Sequence, residues 1–571
     1  MKTSPEVLRR EYRARQWWSD TRITDLFDRC VAEHPERIAL VDPPNREALV
    51  GSAPQRLTFR QIAELADGFA LALHDLGLGR DTILITQLPN IVEYAALYIG
   101  AARIGVIVSP VPMQYRRHEL SHIVGVTGAR NALTVASFKG VSHADGAVQL
   151  SADREFRVLC LGNTAPAGAQ PFSPAPLDDT GRARLQQAIA AANVDADDVF
   201  TICWTSGTEG NPKGVPRTHN QWITINRAHH IGARIADGET LLNPFPLVNM
   251  AAIGGCLLSW LHARGTLLLH HPLDLPVYLQ QIATERPQYA IAPPAILNML
   301  IKNEELLAKV DLSSLRCIGS GSAPLDPGMI AGFHERFGIE VINIFGSNEG
   351  VSLISGVTEA PDPRDRARLF PRFGRAEIRW PRPAPCPMDT RLIDPESGQE
   401  ITATGRPGEL QIRGPAVFDG YYREPELTAR SFTSDGFFRT GDLLEIAGSA
   451  EDPRFYRYVG RLKQIIIRGG VKISPEELDE VLASMPAILE GAVAGYRDEI
   501  LGEKICAAVV PRPGQSVTLE DVRAHFAAAG LAIFKRPERL CVLPQLPRNP
   551  TGKVMRNELT QIAERTGAST A

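Results

Sequence analysis

The chain has no long uninterrupted apolar run, no close pair of cysteines and little net charge, and each absence removes a class of function. The longest apolar stretch, Tyr94 to Met113, is broken by Arg103 and Pro110. A membrane span needs about 20 apolar residues without such breaks, so this stretch reads as an amphipathic helix running into a strand. The N-terminus, Met1 to Asp20, carries Arg9-Arg10 and Trp17-Trp18 but lacks the apolar core of a secretory signal. Eight cysteines, at positions 30, 160, 203, 256, 317, 386, 506 and 541, are scattered with no disulfide framework and no metal-ligand spacing. Buried free thiols in a reducing compartment are expected, and with them a cytoplasmic protein. Lys and Arg number 61 against 65 Asp and Glu, a net charge of -4 with no basic stripe for nucleic acid. Internal repeats and long low-complexity tails are absent as well.

What is there is the composition of a soluble, layered protein. The 571 residues, 44% of them apolar, allow large buried cores and roughly two to four domains. From about residue 23 to 360, helix-period and strand runs alternate. Thr58 to Ala66 starts a helix, Asp81 to Thr86 reads as a strand, Ile91 to Ile104 returns to helix period and Val106-Ile107-Val108 to strand. Such alternation predicts an α/β fold of layered subdomains with mostly parallel strands. Residues 164–180, rich in Pro, Ala and Gly, read as a surface loop. Short β runs between 360 and 460, such as Gly408 to Arg413, suggest a β-rich subdomain. A boundary falls near 460, dividing a large domain, 1–460, from a small α+β unit, 461–571. Within the small unit Ser474-Pro475-Glu476-Glu477 predicts a helix start, with serine as N-cap, proline first and glutamate three residues after the cap.

The most informative run is Thr205-Ser206-Gly207-Thr208-Glu209-Gly210-Asn211-Pro212-Lys213-Gly214, which follows the apolar strand Val199 to Trp204. Its glycines remove side chains that would hold a phosphate off the backbone. The hydroxyls of Thr205, Ser206 and Thr208 offer donors, and Lys213 adds a cation. The spacing is not that of a Walker loop. Further along, Gly319 to Leu325 is a small-residue turn after a strand, on which a flat ring can lie. Phe345-Gly346-Ser347-Asn348-Glu349 places a carboxylate just past a strand's C-terminal end, where open α/β sheets bind ligands. Thr440-Gly441-Asp442 holds a carboxylate in a tight turn suited to ribose hydroxyls. Gly460-Arg461 precedes the boundary, and Pro547 to Lys553 sets one lysine in a Pro/Gly loop. Singly, each has an ordinary reading as a turn, a solvated carboxylate or a surface lysine; together, in this order, they do not.

The set resembles the adenylate-forming superfamily of acyl- and aryl-CoA synthetases, stand-alone adenylation domains and luciferases, over about Ile23 to Arg556. The resemblance implies that Thr205, Ser206, Gly207, Thr208, Gly210 and Lys213 hold the ATP phosphates. It implies that Gly321, Ser322, Ala323 and Phe345 meet the adenine, and that Asp442 and Arg461 bind the ribose. Glu349, with Thr208, would hold Mg²⁺. Lys553 would be the catalytic lysine on a small mobile C-terminal domain, Lys463 its hinge, and Gly469-Gly470 the lining of a thiol channel. The expected reaction is activation of a carboxylic acid by ATP to an acyl-adenylate, then transfer to CoA. Two departures stand out. Asn348 replaces a hydroxyl of the family's pattern near the α-phosphate, where its amide can still donate. Glu209 sits where threonine or serine is common, and is expected to point outward.

The acid is expected to meet Pro244 to Gly255, with Asn249, Met250 and Ile253 in the pocket and Ile291 to Pro294 adding apolar surface. Amino-acid-activating relatives carry an aspartate in this region for the substrate ammonium; here there is none, and an unpaired buried ammonium is costly. Asn249 suits either a ring hydroxyl or a neighbouring backbone group. Tyr12 to Trp18 resembles the opening of both aryl-acid AMP ligases of siderophore assembly and cyclohexanecarboxylate-type CoA ligases. No fused carrier domain follows Lys553, so the acceptor is expected to be free CoA, with a separate carrier protein as the alternative.

Overall fold

The computed structural model describes residues 1–152, 155–205, 212–375, 377–381, 384, 386–448, 452–468, 471–498, 500–529, 531, 533–549 and 552–568. The chain divides into two units: one of Met1–Ala367, Phe373–Asp389 and Arg413–Phe438, and one of Arg368–Arg372, Thr390–Ile412 and Arg439–Ala571.

The first unit is built on two large sheets. One runs, in spatial order, Lys213–Thr218, Val199–Thr205, Ile107–Pro110, Ile83–Gln87, Asn131–Thr134, Arg157–Leu161 and Gln170–Phe172. Its neighbours are parallel except for Lys213–Thr218, which returns antiparallel along Val199–Thr205. All five residues of Ile83–Gln87 are buried, as a parallel strand covered on both faces requires. The other sheet has eight strands: Ser352–Ser355, Glu340–Gly346, Cys317–Gly321, Tyr289–Ile291, Thr240–Asn243, Thr266–Leu269, Ile38–Val41 and Arg56–Thr58. Only its two edge strands are antiparallel.

Sequence patterns locate the elements read from them to within a residue or two, but 164–180, expected to be a surface loop, supplies edge strand Gln170–Phe172 with Phe172 buried. Thr58 is the N-cap of helix Phe59–Asp75, trading hydrogen bonds with Gln61 in a capping box. Helix Val92–Arg103 is not amphipathic as expected: it buries nearly every side chain from Val92 to Ala102, and an evenly apolar helix must be covered all round.

The second unit contains a five-stranded sheet in the order Leu369–Pro371, Phe455–Arg461, Phe438–Ala447, Pro407–Arg413 and Asp389–Ile393, the β-rich region expected between 360 and 460. A further sheet orders Val471–Ile473, Ile466–Arg468, Gly502–Pro511 and Ile488–Asp498, with Arg539–Val542 parallel to Gly502–Pro511. Its two faces follow the strand period of two. Val493, Ile505 and Val509 pack with Leu478 and Leu482 of helix Pro475–Ala483 and Phe526 of helix Leu519–Ala528. Ala492, Ala494, Tyr496 and Cys506 pack with Leu559 and Ala563 of helix Arg556–Ala568. Ser474 caps its helix as expected, accepting from the Glu477 N–H. The Glu477 carboxylate, expected to reach back to the cap, instead takes Lys535 Nζ at 2.6 and 2.8 Å. A charged partner outcompetes a backbone amide.

All eight cysteines are buried free thiols. Among the described residues no helix is long and apolar enough to cross a membrane.

Candidate active site

In the first unit the two described ends of the expected phosphate loop lie on paired strands. Thr205 faces Lys213 across the antiparallel register. Ser206, Gly207, Thr208 and Gly210 lie outside the described residues, as does Glu209. Lys213 Nζ stands 5.4 Å from the centre of the Tyr421 ring, a cation–π separation. The Tyr421 hydroxyl donates to Glu349 Oε1 at 3.1 Å, and the Phe418 N–H donates to the Glu349 carbonyl at 2.9 Å. Glu349 is thus fixed by both backbone and side chain just beyond strand Glu340–Gly346.

The adenine segment shares that sheet edge. Gly321 pairs with Ile344, next to Phe345. A side chain at Gly321 would overlap the Ile344 carbonyl, so only glycine permits this strand spacing. Ser322 then turns with φ of 74°, a left-handed conformation uncommon outside glycine. Ser322 and Ala323 are exposed, and Phe345 is half-buried. Both segments end at the C-terminal edge of parallel strands, the edge at which such sheets take ligands.

The segment expected to meet the acid is tied to this edge through Asn348. Asn348 Oδ1 accepts from the Met250 N–H at 2.9 Å, and Nδ2 lies 3.4 Å from the Trp204 carbonyl. Arg217 Nη1 donates to the Asn348 carbonyl at 2.7 Å, while Nη2 donates to the carbonyls of Gln221 and Ala416. Arg217 has no exposed surface, and burial pushes its pKa down to about 10. Of the two roles open to Asn249, the structure shows backbone capping: Oδ1 accepts from the Ala252 N–H at 3.2 Å. Asn249 and Met250 are half-buried, whereas Ile253 is fully buried at the start of a π-helical turn, Ile253–Leu257.

The second unit gathers a charged cluster. Asp442 and Arg461 are cross-strand partners, with Arg461 Nε 2.8 Å from Asp442 Oδ1. Thr440 Oγ1 donates to the Leu410 carbonyl at 2.7 Å and accepts from the Asp442 N–H at 3.1 Å, which fixes the turn. Lys553 lies within electrostatic range of Arg461, Asp442, Glu476 and Arg556. Burial, with Arg461 in support, pushes its pKa down to about 8 against the pull of Asp442 and Glu476. The turn bearing Lys553 is closed by its own N–H donating to Asn549 Oδ1, and by the Asn549 N–H donating to the Lys553 carbonyl, both at 2.9 Å. Arg556 pins the following helix to Asp479 at 2.5 Å and Glu476 at 3.3 Å. Lys463 is exposed on a single 3₁₀ turn, Leu462–Gln464, directly after Arg461. Gly469 and Gly470 lie outside the described residues.

Tyr421 and Arg217 beside the candidate residues of the first unit, and Glu476 beside those of the second, were not expected. Tyr421 is 72 residues from Glu349, and no local pattern links them. Arg217 reads as a strand residue, and Glu476 as helix-start acidity.

The model of the AMP-binding enzyme matches residues 27–422, and that of the AMP-binding enzyme C-terminal domain matches residues 477–553, ending on the lysine of the charged cluster. The chain belongs to the AMP-binding enzyme family. As a member it is an adenylate-forming ligase that uses ATP to activate a carboxylic acid. Triostin synthetase I of Streptomyces triostinicus is 30% identical over 98% of each chain. The 2-hydroxy-7-methoxy-5-methyl-1-naphthoate–CoA ligase of Streptomyces carzinostaticus is 28% identical over 98% of this chain and 96% of its own. The crystal structure of ATP-bound MatB from Rhodopseudomonas palustris superposes with a TM-score of 0.76 at 25% identity, covering 95% of this chain and 99% of that one.

Proposed function

We propose that this AMP-binding enzyme activates an aromatic or alicyclic carboxylic acid and transfers the acyl group to CoA. The observation that carries the activation step is that half-buried Lys553 lies within electrostatic range of Asp442 and Arg461, themselves paired at 2.8 Å. A half-buried, partly desolvated lysine next to a ribose-type carboxylate is suited to an anionic α-phosphate. Support for the acid class comes from the uncharged segment Pro244 to Gly255 and from the naphthoate named for one relative. That relative is also named as a CoA ligase.

In the first step a substrate carboxylate oxygen attacks the α-phosphorus of ATP and pyrophosphate leaves. Two anions must approach, so positive charge governs the barrier. Lys213 and the glycine-rich run cradle the β- and γ-phosphates, while Lys553 offsets charge on the α-phosphate and the carboxylate. Asp442 accepts from the ribose hydroxyls with Arg461 holding it in place, and Phe345 and the Gly321–Ala323 segment flank the adenine. Mg²⁺ fits here as an ion held mainly by phosphate and water: Glu349 is one carboxylate fixed by Tyr421, and no cluster of three ligating side chains is found among the described residues. Bound there with Thr208, it would neutralise charge on the departing pyrophosphate. In the second step the CoA thiolate attacks the acyl carbonyl and AMP leaves. Lys463 would be the pivot between the steps, with Gly469-Gly470 along the thiol path.

The test is a mass-spectrometric end-point with ATP, Mg²⁺ and a panel of aliphatic, alicyclic and aromatic acids, with and without CoA. Acyl-CoA and AMP from cyclic acids are expected. An acyl-adenylate that forms but ignores CoA would assign the acceptor to a carrier protein. Turnover confined to linear acids would overturn the acid class.

A further inference from the structure

Asn348 joins two segments through the two ends of one side-chain amide. The Met250 N–H can only donate, so the amide oxygen must face it and the NH₂ must face Trp204. The distances, 2.9 and 3.4 Å, agree. One side chain thereby touches the first residue of the short helix Met250–Ala252 and the strand that feeds the phosphate loop. The clasp has a rigid base, because the Asn348 carbonyl is held by the fully buried Arg217. Met250 is also held at a second point. Its side chain lies over Gly346, where an added methyl would overlap Met250 Cε.

Threonine, the residue of the family pattern, is one bond shorter and carries a single hydroxyl. Its one oxygen would have to accept from Met250, donate to Trp204 and serve the phosphate from a single, shorter position, whereas the amide divides these contacts between two atoms. An asparagine nitrogen has two hydrogens, so the Trp204 contact leaves one for a phosphate oxygen.

We propose that Asn348 is a specificity-determining residue of this enzyme. By clasping the Met250 N–H and the Trp204 carbonyl it fixes the first turn of the acid-binding segment at one depth. The Met250 side chain over Gly346 then sets the size of acid accepted. This rests on the acid-activating reading above and adds the element that selects among acids.

The test measures pyrophosphate release for the wild type, Asn348→Thr and Gly346→Ala across acids of increasing ring size. In Asn348→Thr the KM for ATP should stay within about threefold, while the KM for the best acid rises about tenfold and the size preference flattens. A structural defect alone would raise both KM values together. Gly346→Ala meets chiefly the flexible end of Met250, with the Val351 carbonyl 3.0 Å from the new methyl, so it tests the same element without touching Asn348. Its methyl should drive Met250 into the pocket and move preference toward smaller acids. Folded variants with the wild-type size preference, or equal losses toward ATP and acid, would overturn the proposal. A wild-type enzyme that forms no adenylate with any acid would fail the underlying reading instead, before any variant is made.

Discussion

The Tyr421 hydroxyl donates to Glu349 Oε1 at 3.1 Å while the same ring faces Lys213 Nζ at 5.4 Å. One aromatic side chain therefore orients the proposed metal carboxylate and packs against the proposed phosphate lysine. Tyr421→Phe keeps the ring and removes only the hydrogen bond. The Mg²⁺ concentration for half-maximal adenylation should rise about ten- to a hundredfold, with the KM for the acid unchanged, since loss of one bond to a charged group costs about 1.5–3 kcal/mol. A titration of pyrophosphate release against Mg²⁺ checks it; an unchanged midpoint would remove Tyr421 from the site.

Lys553→Ala should lower acyl-adenylate formation by at least about 10²–10³, the usual cost of deleting a transition-state electrostatic contact. Thioester formation from supplied acyl-adenylate should survive. Single-turnover assays of the two half-reactions separate these, and equal loss in both would point to a structural role.

The same lysine predicts a pH limb. Its pKa is pushed down to about 8 by burial and by Arg461, and the charged form is the useful one. Charge is full below that value and is lost as pH rises through it. For adenylation, kcat/KM, which reports the free enzyme, should fall above about pH 8. Arginine does not titrate in this range, so Lys553→Arg, if active, should lack the limb. A profile flat to pH 10 in the wild type would contradict the assignment.

Arg556 concerns stability instead. It pairs with Asp479 at 2.5 Å and with Glu476 at 3.3 Å, and burial already raises the pKa of Asp479. Removing one partner of such a pair strands the other, at about 3–5 kcal/mol. Arg556→Ala should lower the unfolding free energy, read from urea midpoint and slope, by that amount; a change under about 1 kcal/mol would mean Asp479 finds water.

Much of this was legible in the chain itself. Helix and strand periods, the Thr58 and Ser474 caps and the small-residue turns are local signals, because a cap or a left-handed turn is decided by neighbours within a few residues. Thr205, Lys213, Glu349, Asp442, Arg461 and Lys553 are proposed for a related reason: a phosphate or ribose site needs particular residue types on particular short turns.

The tertiary structure alone decided how those turns are held. Tyr421 reaches Glu349, Arg217 reaches Asn348, and Asn348 reaches Met250 across separations of 72, 131 and 98 residues. Side-chain hydrogen bonds of this kind form only once packing has closed the intervening chain, and the sequence carries no periodic trace of them. Asn249 shows the same division: its residue type suited a substrate hydroxyl or a backbone cap, and the local fold of Met250–Ala252 turned its oxygen to the Ala252 amide. The amino-acid order alone thus determined the elements, the family and the chemistry of the turns. Packing determined which buried groups steady each reactive side chain, because a buried polar atom takes whichever partner the closed core leaves within reach.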